Sequence, residues 1–79
     1  MKNAKMIYQL MNDLLRYLLK YGDIEVFTEA QAEQALRESE EICRKYKTAP
    51  NGIGYLAWKL FSAANGYFTK REDMKRRGL

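Results

Sequence analysis

A chain of 79 residues with a net charge of +4 is long enough for one small domain. At this size a single core leaves only about 3–5 kcal/mol of net stability unless something reinforces it. One cysteine and no histidine exclude a disulfide within the chain and argue against structural zinc, so oligomerisation is the remaining means of reinforcement. The single thiol favours a cytoplasmic location, and no stretch reaches the roughly 18–20 apolar residues of a membrane span.

A first helix is predicted over about residues 3–21. At about 100° per residue, nearly all of its polar side chains fall within one wedge roughly 100° wide, and an apolar arc of about 220° fills most of the rest. That arc is too wide for a single neighbouring helix, so some apolar edge is expected to stay uncovered. One edge holds Tyr8, Leu15 and Leu19, and the other holds Met6, Leu10 and Tyr17.

The second helix is predicted over about residues 29–46. Thr28 is a good N-cap with Gln31 three residues later, which is the spacing of a capping box. The apolar residues form one stripe about 120° wide and the opposite face is charged. This pattern is typical of a helix with one buried side.

Two further helices are predicted over about residues 53–65 and 70–77. Asn65-Gly66 is a common stop signal for a helix, and Thr69 with Glu72 has the spacing of a new capping box. The expected fold is therefore all-α, a small bundle of three long helices plus a short C-terminal helix, forming one domain over residues 1–79.

Catalytic chemistry finds little support in the chain. Cys43 lies on the apolar stripe of the second helix without an evident activating partner, and no histidine can act as a base. The glycines of the 49–59 segment, "APNGIGYLAWK", lack the GK[ST] ending of a phosphate-binding loop. We therefore expect neither enzyme activity nor a cofactor, a metal ion or a small-molecule substrate.

Charge is segregated along the chain. Residues 1–21 have four basic and one acidic residue, net +3; residues 22–43 have one basic and seven acidic, net −6; and residues 44–79 have nine basic and two acidic, net +7. A helix-turn-helix does not fit, because the connection before the third helix is long and that helix is apolar. Backbone binding of nucleic acid nevertheless remains an alternative function, through a basic surface formed by Arg44, Lys45, Lys70, Arg71, Lys75, Arg76 and Arg77.

Aromatic residues favour protein binding as the main function. Six Tyr, three Phe and one Trp exceed what one small core needs, and Tyr, Trp and Met are enriched at interfaces. The candidate protein interface comprises Tyr8, Leu10, Leu15, Tyr17, Leu19 and Trp58. By class-level analogy with small phage and mobile-element accessory factors, such as anti-CRISPR inhibitors, the expected partner is a host protein.

Two explanations for the wide apolar arc of the first helix stay open. In one, the helix pairs with a second copy of itself to give a homodimer, the simplest closed arrangement. In the other, the C-terminal tail folds back and lays Tyr67, Phe68 and Met74 over one edge within the monomer.

Overall fold

The computed structural model describes residues 4–78 and contains three helices in that range: α1 (Ala4–Gly22), α2 (Glu29–Lys45) and α3 (Ile53–Arg76). No strand occurs in this part of the chain, so the prediction of an all-α fold is confirmed. The Thr28 capping box is also present, since the Gln31 amide donates to the Thr28 Oγ1 at 3.1 Å and the Thr28 amide donates to the Gln31 Oε1 at 2.9 Å. The predicted first residue of the first helix, Asn3, lies outside the described residues.

The helices α1 and α2 are antiparallel, and the same kind of contact joins them at both ends. At one end, Lys45 Nζ lies 2.9 Å and the Tyr46 hydroxyl 2.6 Å from Oδ2 of Asp13. At the other end, Glu38 Oε2 accepts a bond from Lys20 Nζ at 3.0 Å and another from the Tyr21 hydroxyl. Each helix thus contributes a Lys-Tyr pair near its C-terminus that holds a carboxylate of the other, and we call these contacts the two carboxylate clamps.

The third helix runs parallel to α1 and completes the core. Tyr17 packs at ring distances of 5.1 Å from Phe61 and 6.0 Å from Phe68, and Gly22 further along α1 meets Arg71 further along α3. One polar chain crosses this interior: the Tyr17 hydroxyl lies 2.5 Å from Oδ1 of Asn65, whose Nδ2 donates to the Ser39 Oγ at 3.3 Å. Because this series of hydrogen bonds includes one residue of each helix, it fixes the relative positions of all three helices.

The predicted break at Asn65-Gly66 and the separate fourth helix are wrong, because α3 continues unbroken from Ile53 to Arg76. Asn65 is occupied by the polar chain just described, and Thr69 donates its hydroxyl back to the Asn65 carbonyl at 3.1 Å instead of capping a new helix. Continuing the helix also buries Phe68 against the core. A buried Phe contributes about 1.5–3 kcal/mol, which exceeds the penalty of about 1 kcal/mol for a glycine within a helix.

Candidate functional site

A row of exposed apolar side chains follows the outer side of α1. Tyr8, Met11, Leu15 and Leu19 keep between 40% and 73% of their surface exposed. Their spacing of three, four and four residues places them within about 80° of one another around the helix. We call these four residues the α1 stripe, and together they expose on the order of 400 Å², in the range of the largest patches on monomeric proteins, which are often functional.

The sequence prediction gave α1 two apolar edges, and the structure covers one of them. Leu10 and Tyr17 are fully buried and Met6 packs against the same core. Leu10 and Tyr17 are therefore core residues and drop out of the predicted interface. Tyr8, Leu15 and Leu19 remain on the surface, joined by Met11, which the prediction had not assigned to either edge.

The extended α3 does not cover the α1 stripe. Phe68 enters the core, but Tyr67 and Met74 stay exposed, as do all four stripe residues. Of the three tail residues expected to fold back over α1, only Phe68 does so, by packing on Tyr17. It reaches this position because α3 is a continuous helix.

Trp58 belongs to a different surface from the α1 stripe. It lines two adjoining cavities between α2 and α3, of about 210 Å³ and 280 Å³. Its ring lies 6.1 Å from that of Tyr55, and Lys59 Nζ lies 5.1 Å from the Trp58 ring and 5.6 Å from the Tyr55 ring. Trp58 therefore lies on the side of α3 that adjoins α2, with Tyr55 and Lys59 beside it.

Most of the predicted nucleic-acid residues have partners within the chain. Lys45 binds Asp13, Lys75 binds Glu25, and Arg76 and Arg77 bind the acidic residues four positions earlier. The Arg71 guanidinium donates to the carbonyls of Gly22, at 2.6 Å, and Ile24, and its carbon lies 5.4 Å from the Tyr67 ring. Within residues 4–78 only Arg44 and Lys70 of this group make no such contact, so intramolecular pairing accounts for much of the basic composition.

Cys43 and the acidic residues are the side chains with the most potential for covalent or metal chemistry. Burial, and then the Glu40 carboxylate, raise the pKa of the Cys43 thiol, which is opposite to the change that activates a nucleophile. Within residues 4–78, no three His, Cys, Asp or Glu side chains are grouped so that they could hold a metal ion. In the same range, no helix combines the length and the apolar character needed to cross a membrane.

Met11 is the stripe residue that sequence reasoning missed. Its position three residues after Tyr8 and four before Leu15 was the available signal, because these spacings place it on the same helix face as both.

Comparison with family models, curated proteins and solved structures finds no match for this chain.

Proposed function

We propose that this protein acts without catalysis, by binding another protein through the α1 stripe. The observation that carries the proposal is the unbroken row of exposed side chains formed by Tyr8, Met11, Leu15 and Leu19. The other large apolar side chains of α1 lie in the core or pack against it. Apolar rows of this kind mark interfaces, and Tyr and Met are among the residues enriched there. A factor of this type would inhibit or adapt its partner by occupying part of that partner's surface.

The experiment that tests this function is affinity purification from the native host with two matched variants. Leu15→Glu places a charge in the stripe, whereas Leu36→Glu places the same charge on α2 at a leucine of nearly equal exposure, 51% against 53%. We expect a protein to co-purify with the wild-type chain and with Leu36→Glu, and its recovery to fall about tenfold or more with Leu15→Glu, since a charge buried at the centre of an interface is strongly unfavourable.

Nuclease treatment of the same samples separates the alternative function. Recovery of nucleic acid that is insensitive to Leu15→Glu, with no protein remaining after nuclease, would contradict the proposal and favour the basic surface. Circular dichroism of both variants confirms that each has kept its helices.

A further inference from the structure

Cations border the α1 stripe on the side that leads around the helix toward α2. Lys5 and Arg16 lie within about 60° of the stripe around the helix, and both are exposed. Asp13 is the only acidic residue of α1, and its carboxylate is bound by Lys45 and Tyr46 on the side that faces α2. The solvent-facing surface around the stripe therefore carries positive charge without an unpaired carboxylate.

The neighbouring helix on the other side of the stripe is α3, and residues 53–71 of it contain no acidic residue. Its Lys59 lies over the Trp58 and Tyr55 rings, and its Arg71 donates to the carbonyls of Gly22 and Ile24. The acidic residues of the 22–43 segment lie in the first loop and on α2, and α2 contacts α1 through Asp13 and Lys20, at least about 100° around the helix from the stripe. The face made by α1 and α3 is thus apolar along its middle and positive along the border formed by Lys5 and Arg16 of α1.

We infer that the α1 stripe binds an acidic amphipathic helix of another protein. Spacings of three and four residues match the seam through which one helix packs on another, with apolar residues at the centre and charged residues beside them. Glu or Asp beside the seam of the incoming helix would lie close to Lys5 and Arg16, which favours this partner over a neutral or basic one. This inference rests on the proposed function and names the chemistry of its partner.

A second copy of the chain fits this face less well. A two-fold pairing of α1 with its copy brings two basic faces together, and like charges across an interface oppose binding. The acidic outer face of α2 would attract the stripe of a second molecule, but such a head-to-tail contact gives rings or open chains and not the simplest closed dimer. Charge complementarity therefore favours a different protein as the occupant.

Two synthetic peptides of about five helical turns test the inference. They share one leucine seam, and the positions beside the seam are Glu in one peptide and Lys in the other. We expect fluorescence anisotropy at low salt to show the Glu peptide binding at least about tenfold more tightly than the Lys peptide, with a ratio that shrinks as salt screens the charges.

Two pairs of variants locate the binding. Leu15→Glu should weaken the binding of the Glu peptide about tenfold or more, whereas Leu36→Glu should leave that binding unchanged. Arg16→Glu should reduce the preference for Glu over Lys several-fold, whereas Arg37→Glu, at an exposed arginine of α2, should not. All four positions are exposed, and thermal denaturation of each variant checks that the fold is retained.

Several results would overturn the inference. Equal binding of both peptides would mean that charge plays no part. A dimer in sedimentation equilibrium that reverts to monomer with Leu15→Glu would assign the stripe to a second copy, and binding to phosphatidylglycerol vesicles in place of either peptide would assign it to a lipid surface. Failure of both peptides while the host protein is still captured through Leu15 would refute only the acidic partner, whereas loss of host-protein capture would refute the proposed function itself.

Discussion

Asp13 and Glu38 are held ionised by the residues that clamp them. Burial raises the pKa of the Asp13 carboxyl, but the hydrogen bond from Tyr46 and the contact with Lys45 outweigh it, so the pKa is lowered. Burial likewise raises the pKa of Glu38, and the bonds from Tyr21 and Lys20 bring it below its ordinary value. Both carboxylates therefore stabilise the contact between α1 and α2 as long as they remain charged.

These lowered pKa values predict that the protein loses stability in acid. A carboxyl whose pKa is lower in the folded state contributes stability above its unfolded pKa of about 4, and that contribution disappears as the pH falls through the folded value. Hydrogen bonds to charged groups contribute about 1.5–3 kcal/mol. We expect urea denaturation to show a free energy of unfolding that is level near neutral pH and falls by about 2 kcal/mol or more between pH 5 and pH 2.

Substituting Asp13 separates the contribution of its carboxylate clamp from the general effect of acid on stability. Asp13→Asn should lower the free energy of unfolding by about 1–2 kcal/mol at pH 7 and flatten its dependence on pH. Glu33→Gln serves as the control, because the Glu33 side chain is exposed on α2 and makes no hydrogen bond or ion pair within residues 4–78. An Asp13→Asn protein with the wild-type pH profile would contradict the role given to this clamp.

Single side chains were the least predictable level of this structure. Asn65 has the sequence context of a helix stop, yet its amide binds Tyr17 and Ser39, which are 48 and 26 residues away. Local capping statistics contain no information about partners at that distance, so they favoured a break. The Thr28 capping box was predictable because both of its partners lie within four residues.

Two glycines of α3 play opposite roles in the packing of the helix. A Cβ at Gly54 would lie 2.5 Å from the Tyr46 carbonyl oxygen and 3.1 Å from that of Lys47. The absence of a side chain at Gly54 therefore lets the start of α3 pack closely on the end of α2. At Gly66 nothing lies within 4 Å of an added Cβ, and the backbone is helical. Only the first position requires glycine.

Alanine substitution at the two glycines should therefore change stability in opposite directions. Gly66→Ala should raise the free energy of unfolding by about 0.5–1 kcal/mol, because alanine has the higher helix propensity. Gly54→Ala should lower it by about 2 kcal/mol, since the backbone of two segments must separate. The measurement is urea denaturation of both variants, and a destabilised Gly66→Ala protein would contradict the continuous α3, since alanine is unfavourable at a left-handed helix stop.

Helix positions were largely predictable from periodicity. The ends of α1 and α2 and the start of α3 lie within about two residues of those expected, because apolar spacing and the Asn51-Gly52 turn are local signals. The end of α3 was not predictable in this way. Its course past Gly66 depends on the burial of Phe68 against Tyr17 and Phe27, which lie on other parts of the chain.

For the whole molecule, the width of the apolar arc of α1 predicted that one edge would stay exposed, but not which one. That outcome depends on the side of α1 on which α2 and α3 pack. The clamps bring α2 to Asp13 and Lys20, and the Tyr17 contacts bring α3 beside it, so Leu10 and Tyr17 are covered and the α1 stripe is left. The candidate site is thus a consequence of the bundle's arrangement, and its charge follows from the position of the acidic helix on the far side.

The size of the protein makes its stability depend on few side chains, and two adjacent aromatics of α3 provide the test. A single core in a chain of 79 residues leaves only about 3–5 kcal/mol of net stability. Phe68 is 5% exposed and packs on Tyr17 and Phe27, whereas Tyr67 is 53% exposed and contacts the Arg71 guanidinium. Phe68→Ala should lower the free energy of unfolding by about 3–4 kcal/mol, which is enough to unfold much of a protein at the lower end of this stability range. Tyr67→Ala should lower it by about 1 kcal/mol or less. Urea denaturation followed by circular dichroism measures both, and equal losses would mean that the segment beyond Gly66 does not pack on the core.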